Sequence, residues 1–293
     1  MATKIKSEAK ADGNKITITA DSMADIHQYW EKCNIVPVYL GVTIRGEAFP
    51  DNNIDPQRIY DAVEKHGDVP KTSAGMEIDY KETFTKHTAD GGSVIHFACS
   101  SNLSVSHDNA KRAAKGIDRV FIINTKQVSV GVGFLVLKAA EMRDKGMSAD
   151  EIYNEIKMMI PRLSLQFIVH DLKYLHRGGR VGGLKLLGAN LLKIRPTILI
   201  DEDGKMAPDK KFKGRYDLAV KEFTKFRLEH ASNACLEFVS VMTTKFDDEK
   251  TVETVIADLK EFGFKRVERF IAGASITIHG GRNALGICFL NKK

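Results

Sequence analysis

Three hydroxyl-bearing segments and one histidine stand out as residues that could do chemistry. Asp21-Ser22, Lys71-Thr72-Ser73 and Ser100-Ser101-Asn102-Leu103-Ser104 each fall where a run of strand-forming residues should end, and His279-Gly280-Gly281 follows a later such run. Hydroxyl and imidazole groups donate hydrogen bonds without a neighbouring Lys or Arg, which suits a carboxylate that must be buried. The same residue types permit a second chemistry, with Ser73 or Ser101 as nucleophile, His279 as base and Asp21 orienting the imidazole. Each serine also has a plainer reading as a helix cap or turn residue, Ser101 and Asn102 above all. A histidine at a strand end is often purely structural, so His279 keeps that alternative too.

The motifs that are missing narrow the field. No G-x-x-x-x-G-K-S/T loop occurs, and Gly131-Val-Gly133 is followed by Val136 instead of a third glycine, so neither standard nucleotide fingerprint is met. There is no H-E-x-x-H and no G-x-S-x-G elbow. The histidines show no i, i+4 pairing, and Cys33, Cys99, Cys235 and Cys288 form no C-x-x-C, so no metal or cofactor is expected. Scattered thiols of this kind fit a reducing cytoplasm better than a disulfide framework.

The elements that must position these residues follow from periodicity. A chain of 293 residues, 43% hydrophobic and 28% charged, has enough material for two globular domains. Residues 1–15 read as a polar leader without fixed structure. They lack the apolar stretch of a signal peptide, and no run of eighteen apolar residues follows, which predicts neither export nor membrane insertion. From 16 to 160, strand-like segments (16–20, 35–44, 93–99, 119–124) alternate with helix-like ones (23–32, 55–66, 77–87, 103–115, 128–145, 149–159). That rhythm predicts a parallel sheet with helices on both faces. Asp55 is a natural helix cap with Pro56 in the first helical position. From 161 to 293 the rhythm changes. Strands are expected at 165–170, 197–201, 237–243, 266–272, 275–279 and 286–290, with helices at 184–193, 216–229 and 247–262. The fold class expected is α/β, an N-terminal parallel-sheet α/β/α domain followed by a C-terminal α+β domain with a mostly antiparallel sheet.

Charge is distributed unevenly. The net charge is +6, yet twelve Lys or Arg against five acids lie between Pro161 and Arg215, leaving the remainder close to neutral. A localised basic face meets phosphate, nucleic acid or an acidic protein, or is simply solvated. Nucleic acid is the weaker reading, because the window has few aromatics beyond Tyr174 and Phe212 and no recognised DNA- or RNA-binding pattern.

The order and wording of these segments resemble the DegV family of fatty-acid-binding proteins, from about Ile16 to Leu290. Asp21-Ser22-Met23-Ala24-Asp25 is similar to its opening D-S-S/T-A-D, and Pro70-Lys71-Thr72-Ser73 to P-x-T-S-Q-P. Ser100-Ser101-Asn102-Leu103-Ser104 resembles S-S-x-L-S-G-T. Leu172-Lys173-Tyr174-Leu175 with Gly178-Gly179-Arg180-Val181 resembles L-x-x-L-x-x-G-G-R-I/V. The segment 190–196 and His279-x-Gly281 with Ala284-Leu285-Gly286 complete six motifs in the family's order. The chain departs from the pattern at Ala74-Gly75, Val105-Ser106, Asn124-Thr125 and Arg282-Asn283, all flanking the inferred carboxylate site.

The resemblance implies a carrier without catalysis of its own, of the type that serves as lipid-binding subunit of a bacterial fatty acid kinase. Carried over, Thr72, Ser73, Ser101 and His279 would hold the carboxylate of a long-chain fatty acid, supported by Asp21, Ser22, Ser100 and Gly281. Arg180 would face an ATP-dependent kinase partner that makes acyl-phosphate. Each buried methylene contributes roughly 0.8 kcal/mol, so a tail of about fifteen carbons offers about 12 kcal/mol before ordering costs. A carboxylate buried without donors would cancel several kcal/mol of that. The expected state is a cytoplasmic monomer.

Overall fold

The computed structural model describes residues 15–181 and 194–293. The leader through residue 14 and the helix expected at 184–193 lie outside the described residues.

The first half builds a four-stranded parallel sheet from β1 (Ile16–Asp21), β2 (Ile35–Val38), β6 (Ser93–Ala98) and β7 (Val120–Asn124), in the order β2-β1-β6-β7. β1 and β6 are buried along their whole length, the polar Thr17, Thr19, Asp21, Ser93 and His96 included, because both faces of the sheet are covered. The helices α1 (Pro56–His66), α2 (Glu77–Thr88), α3 (Ser106–Ala113), α4 (Val130–Asp144) and α5 (Ala149–Met159) complete this half. Asp55 caps α1 by accepting from Gln57 N at 2.9 Å, with Pro56 in the first turn, as its sequence predicts. The second half forms a six-stranded, mainly antiparallel sheet of order β10-β9-β8-β13-β11-β12. Its strands are β8 (Leu163–Ile168), β9 (Ile194–Ile200), β10 (Met206–Lys213), β11 (Ala234–Thr243), β12 (Val267–Ile271) and β13 (Leu285–Asn291). Its helices include α6 (Leu172–Gly178), α7 (Tyr216–Glu229), α8 (Glu249–Glu261) and α9 (Ala274–Gly280). The α/β class with a parallel N-terminal and a mostly antiparallel C-terminal sheet is as expected.

α4 joins the two halves. It contacts β1 and β6 on one side and β8, β11 and β13 on the other. This explains why its sequence, VGVGFLVLKAA, is apolar on every face instead of along one stripe. The main core accordingly mixes Ile18, Phe97 and Leu135 with Leu165, Ile198 and Met242.

Four expectations fail for identifiable reasons. Residues 23–32 are not an α-helix but two 3-10 turns, Ser22–Ala24 and His27–Tyr29, because Asp25 adopts a left-handed conformation (φ 55°) that ends the first. Residues 35–44 are not one strand. They split at Tyr39-Leu40 into β2 and β3 (Gly41–Ile44), and β3 pairs in a separate small sheet with β4 (Glu47–Pro50) and β5 (Lys71–Ser73). The helix expected from Leu103 starts only at Ser106, with neither Ser101 nor Asn102 as its cap. The segment 275–279 is helical, not extended. Its alternating β-branched residues look like a strand, but α9 is packed against α6 and α1 and covered on most sides, so the alternation carries no exposed face.

Candidate functional site

An apolar cavity lies between the two sheets. Its wall is built from Met23, Leu40, Val128, Leu165, Phe167 and Met242, among others, and Thr72, Ser73, Ser104, Arg180 and His279 also line it. Strand ends and helix starts converge here, where open α/β sheets place their ligands.

Thr72 and Ser73 stand on β5, the edge of the small sheet. Thr72 Oγ1 lies 3.0 Å from His279 Nε2. The other ring nitrogen, Nδ1, is buried without a hydrogen-bond partner among the described residues. Burial, with the nearby positive charge of Arg180, pushes the His279 pKa down to about 4, so the ring is neutral at physiological pH. Gly178 backs directly onto it, since a Cβ there would fall 2.2 Å from Nδ1. Arg180 is exposed, and its Nη1 donates to the Gly178 carbonyl at 2.6 Å. The glycine pair of the G-G-R segment thus has two duties. Gly178 admits the imidazole, and Gly179, at φ +65°, ends α6 and turns the chain toward Arg180.

Ser101 is not among the residues lining the cavity. It is exposed, with its Oγ accepting from Asn124 Nδ2 at 2.8 Å, and the serine of that loop reaching the cavity is Ser104. The reason is the late start of α3, which leaves 101–105 as a loop with Ser104 on its inner side. The four residues expected to support the site are not among those lining the cavity and make other contacts. Asp21 accepts from the Tyr80 hydroxyl at 2.6 Å and from Cys99 N at 2.8 Å. Ser22 donates to Asp51, which also accepts from Ser275, a cavity residue, at 2.8 Å. Ser100 holds the 201–204 turn through the Gly204 carbonyl at 2.8 Å. Gly281, at φ +69°, lies where a Cβ would meet the Tyr174 ring.

No Ser–His–Asp relay is assembled among these residues. His279 pairs with a threonine, and the Asp21 bonds go to Tyr80 and Cys99.

Sequence reasoning missed two buried serines in the wall, Ser129 and Ser275, and two carboxylates behind them. Asp25 accepts from Ser129 Oγ and from Gly273 N, the latter at 2.8 Å. Burial raises its pKa to about 7. Burial likewise raises the pKa of Asp51. A sequence signal existed. Gly133 is needed where α4 passes the Ala24 carbonyl, at which a Cβ would come within 2.4 Å, and this brings Ser129 beside Asp25.

Among the described residues no helix is long and apolar enough to cross a membrane, and no cluster of metal-ligating side chains is found. The model of the uncharacterised DegV family matches residues 15–292. The chain is 32% identical over 283 residues to a DegV domain-containing protein of Streptococcus pyogenes serotype M3, covering 92% of this chain and 96% of that one. It is 29% identical over 284 residues to a fatty acid-binding protein of Thermotoga maritima, covering 93% and 96% respectively. Among solved structures, that of DegV, a fatty acid binding protein from Bacillus subtilis, matches with a TM-score of 0.81 at 26% identity, over 95% of this chain and all of that one (100%).

Proposed function

Because this chain belongs to the DegV family, we propose that it binds a long-chain fatty acid in the cavity between its sheets and presents the carboxylate at the mouth to a partner kinase. One observation carries this reading: an apolar cavity is lined by the polar Thr72, Ser73, Ser104 and His279 and by Arg180, with Thr72 and His279 in contact. The apolar wall supplies the affinity. The hydroxyls and the neutral imidazole offset the desolvation of the carboxylate. Arg180, exposed and permanently charged, is suited to meet an anionic group on the partner or the phosphate being transferred. The protein contributes binding and orientation, while ATP and the phosphoryl-transfer chemistry belong to the kinase. In this reading residues 16–160 and 161–293 are two units that enclose the ligand, and the protein acts as a cytoplasmic monomer.

The direct test is organic extraction of the purified protein followed by mass spectrometry. A stoichiometric fatty acid is expected. A protein that carries none and takes up none on incubation would overturn the proposal, and covalent labelling of a serine by a fluorophosphonate would favour a hydrolase instead.

A further inference from the structure

Two hydroxyls interrupt the apolar wall of the cavity. Ser129 and Ser275 are 3% and 4% exposed, and both line it. Ser275 stands one helical turn before His279 on α9, about 6 Å along the axis. Each serine already donates its proton to a buried carboxylate, Ser129 Oγ to Asp25 and Ser275 Oγ to Asp51. A serine oxygen also has two lone pairs, and among the described residues no donor fills those of Ser129 or Ser275. While Asp25 and Asp51 are ionised, the serine protons are committed to them and both serines meet the cavity as acceptors only. A second carboxylate or a keto group, being acceptors themselves, would not satisfy them, and a saturated chain would leave them unmet. The complementary group is a donor.

We infer that the acyl chain this cavity prefers carries a hydroxyl group along its length, received by Ser129 or Ser275. The inference rests on the fatty-acid reading above. The backbone at Ser129 supports it. Its φ of 52° and ψ of −134° belong to a region that a glycine occupies freely and a serine only under strain. Strain kept at a cavity wall, in a residue whose hydroxyl is held by a carboxylate, marks a position where the hydroxyl matters.

The test uses the full-length chain stripped of lipid, titrated with stearate, with monohydroxystearates bearing the hydroxyl at successive positions, and with the matching oxostearates. At least one hydroxystearate is expected to bind about five- to tenfold more tightly than stearate, the worth of one neutral hydrogen bond. The oxostearates should show no such gain. In Ser129→Gly or Ser275→Ala the ratio of the two affinities should fall to about one. Ser129→Gly suits the local backbone, so its effect is separable from misfolding. Hydroxystearates that bind no better than stearate at any position, oxostearates that gain equally, or an advantage that survives both variants would each overturn the inference and leave the fatty-acid reading standing. Failure of every acid to bind would overturn both.

Discussion

Thr72 and His279, 207 residues apart in sequence, meet at 3.0 Å in the lining of the cavity. Their bond ties the edge strand of the small sheet to helix α9 from the other half of the chain. It is also the contact that orients the imidazole, because Nδ1 has no hydrogen-bond partner among the described residues. With its pKa near 4, the ring meets an anion as a neutral group, and Arg180 is left as the permanent cation beside it.

Removing either partner should therefore weaken lipid binding. Thr72→Val and His279→Ala are each expected to lower stearate affinity ten- to hundredfold, because the neutral pair spends one of its two protons on its mutual bond and needs both members to aim the other at the carboxylate. Ser104→Ala should also lower it, whereas Ser101→Ala should change it less than twofold. Titration with a fluorescent fatty acid reads all four. A Ser101→Ala defect as large as that of His279→Ala would place the head group on the Asn124 side of the loop.

Gly178→Ala isolates the support of the ring. Replacing glycine by alanine in a helix normally stabilises it by roughly 0.5–1 kcal/mol. Here the added methyl would lie 2.2 Å from His279 Nδ1, so the ring must move. The expected result is a lower Tm together with a loss of affinity comparable to that of His279→Ala. A raised Tm with unchanged affinity would show that the ring has another stable position.

Two buried groups pull the pH dependence of stability in opposite directions. His279, with a folded pKa of about 4 against 6.5, contributes stability above about pH 6.5 that is lost as pH falls toward 4. Asp25, with a folded pKa of about 7 against 3.8, does the reverse: its contribution is greatest at acid pH and is lost as pH rises through 7. Relative to the native chain, His279→Gln should shift the balance of Tm toward acid pH, and Asp25→Asn should shift it toward neutral pH. Melting curves at pH 5 and pH 7.5 decide this, and shifts in the same direction would contradict the assignment of one of the two groups.

Arg180→Glu distinguishes holding the lipid from handing it over. Reversing an exposed charge at a docking surface can cost several kcal/mol of association. Kinase-dependent phosphorylation of the bound acid should fall by far more than stearate affinity does. Turnover at the native level would remove Arg180 from the partner surface.

The parallel sheet, the capped helix α1 and the antiparallel second half were all legible, because β-branched runs, Asp55-Pro56 and the change of rhythm near 160 are local signals. The site was legible only in part. Thr72, Ser73, Arg180 and His279 announce themselves by motif, and they do line one cavity. Ser101 misled because in sequence it stands just before an expected helix, and only the actual start of α3 shows that Ser104 is the inner residue. Helix α9 misled for a related reason: alternation diagnoses a strand only when one face meets water, and α9 has almost none that does. Asp25 stands in the opening motif, but neither its burial nor that of Asp51 could be read from local sequence. Their importance comes from burial and from partners more than 100 and 200 residues away, Ser129 and Ser275.

The position of α4 between the two sheets bears on how the chain could have arisen and how it can be cut. A helix apolar on every side has no stable life on the surface of an isolated fragment, and whichever half kept it would expose the face that the other half covers. Neither half is therefore a portable module. The protein should melt in a single cooperative step, resist trimming to a minimal binder, and have been inherited as one piece.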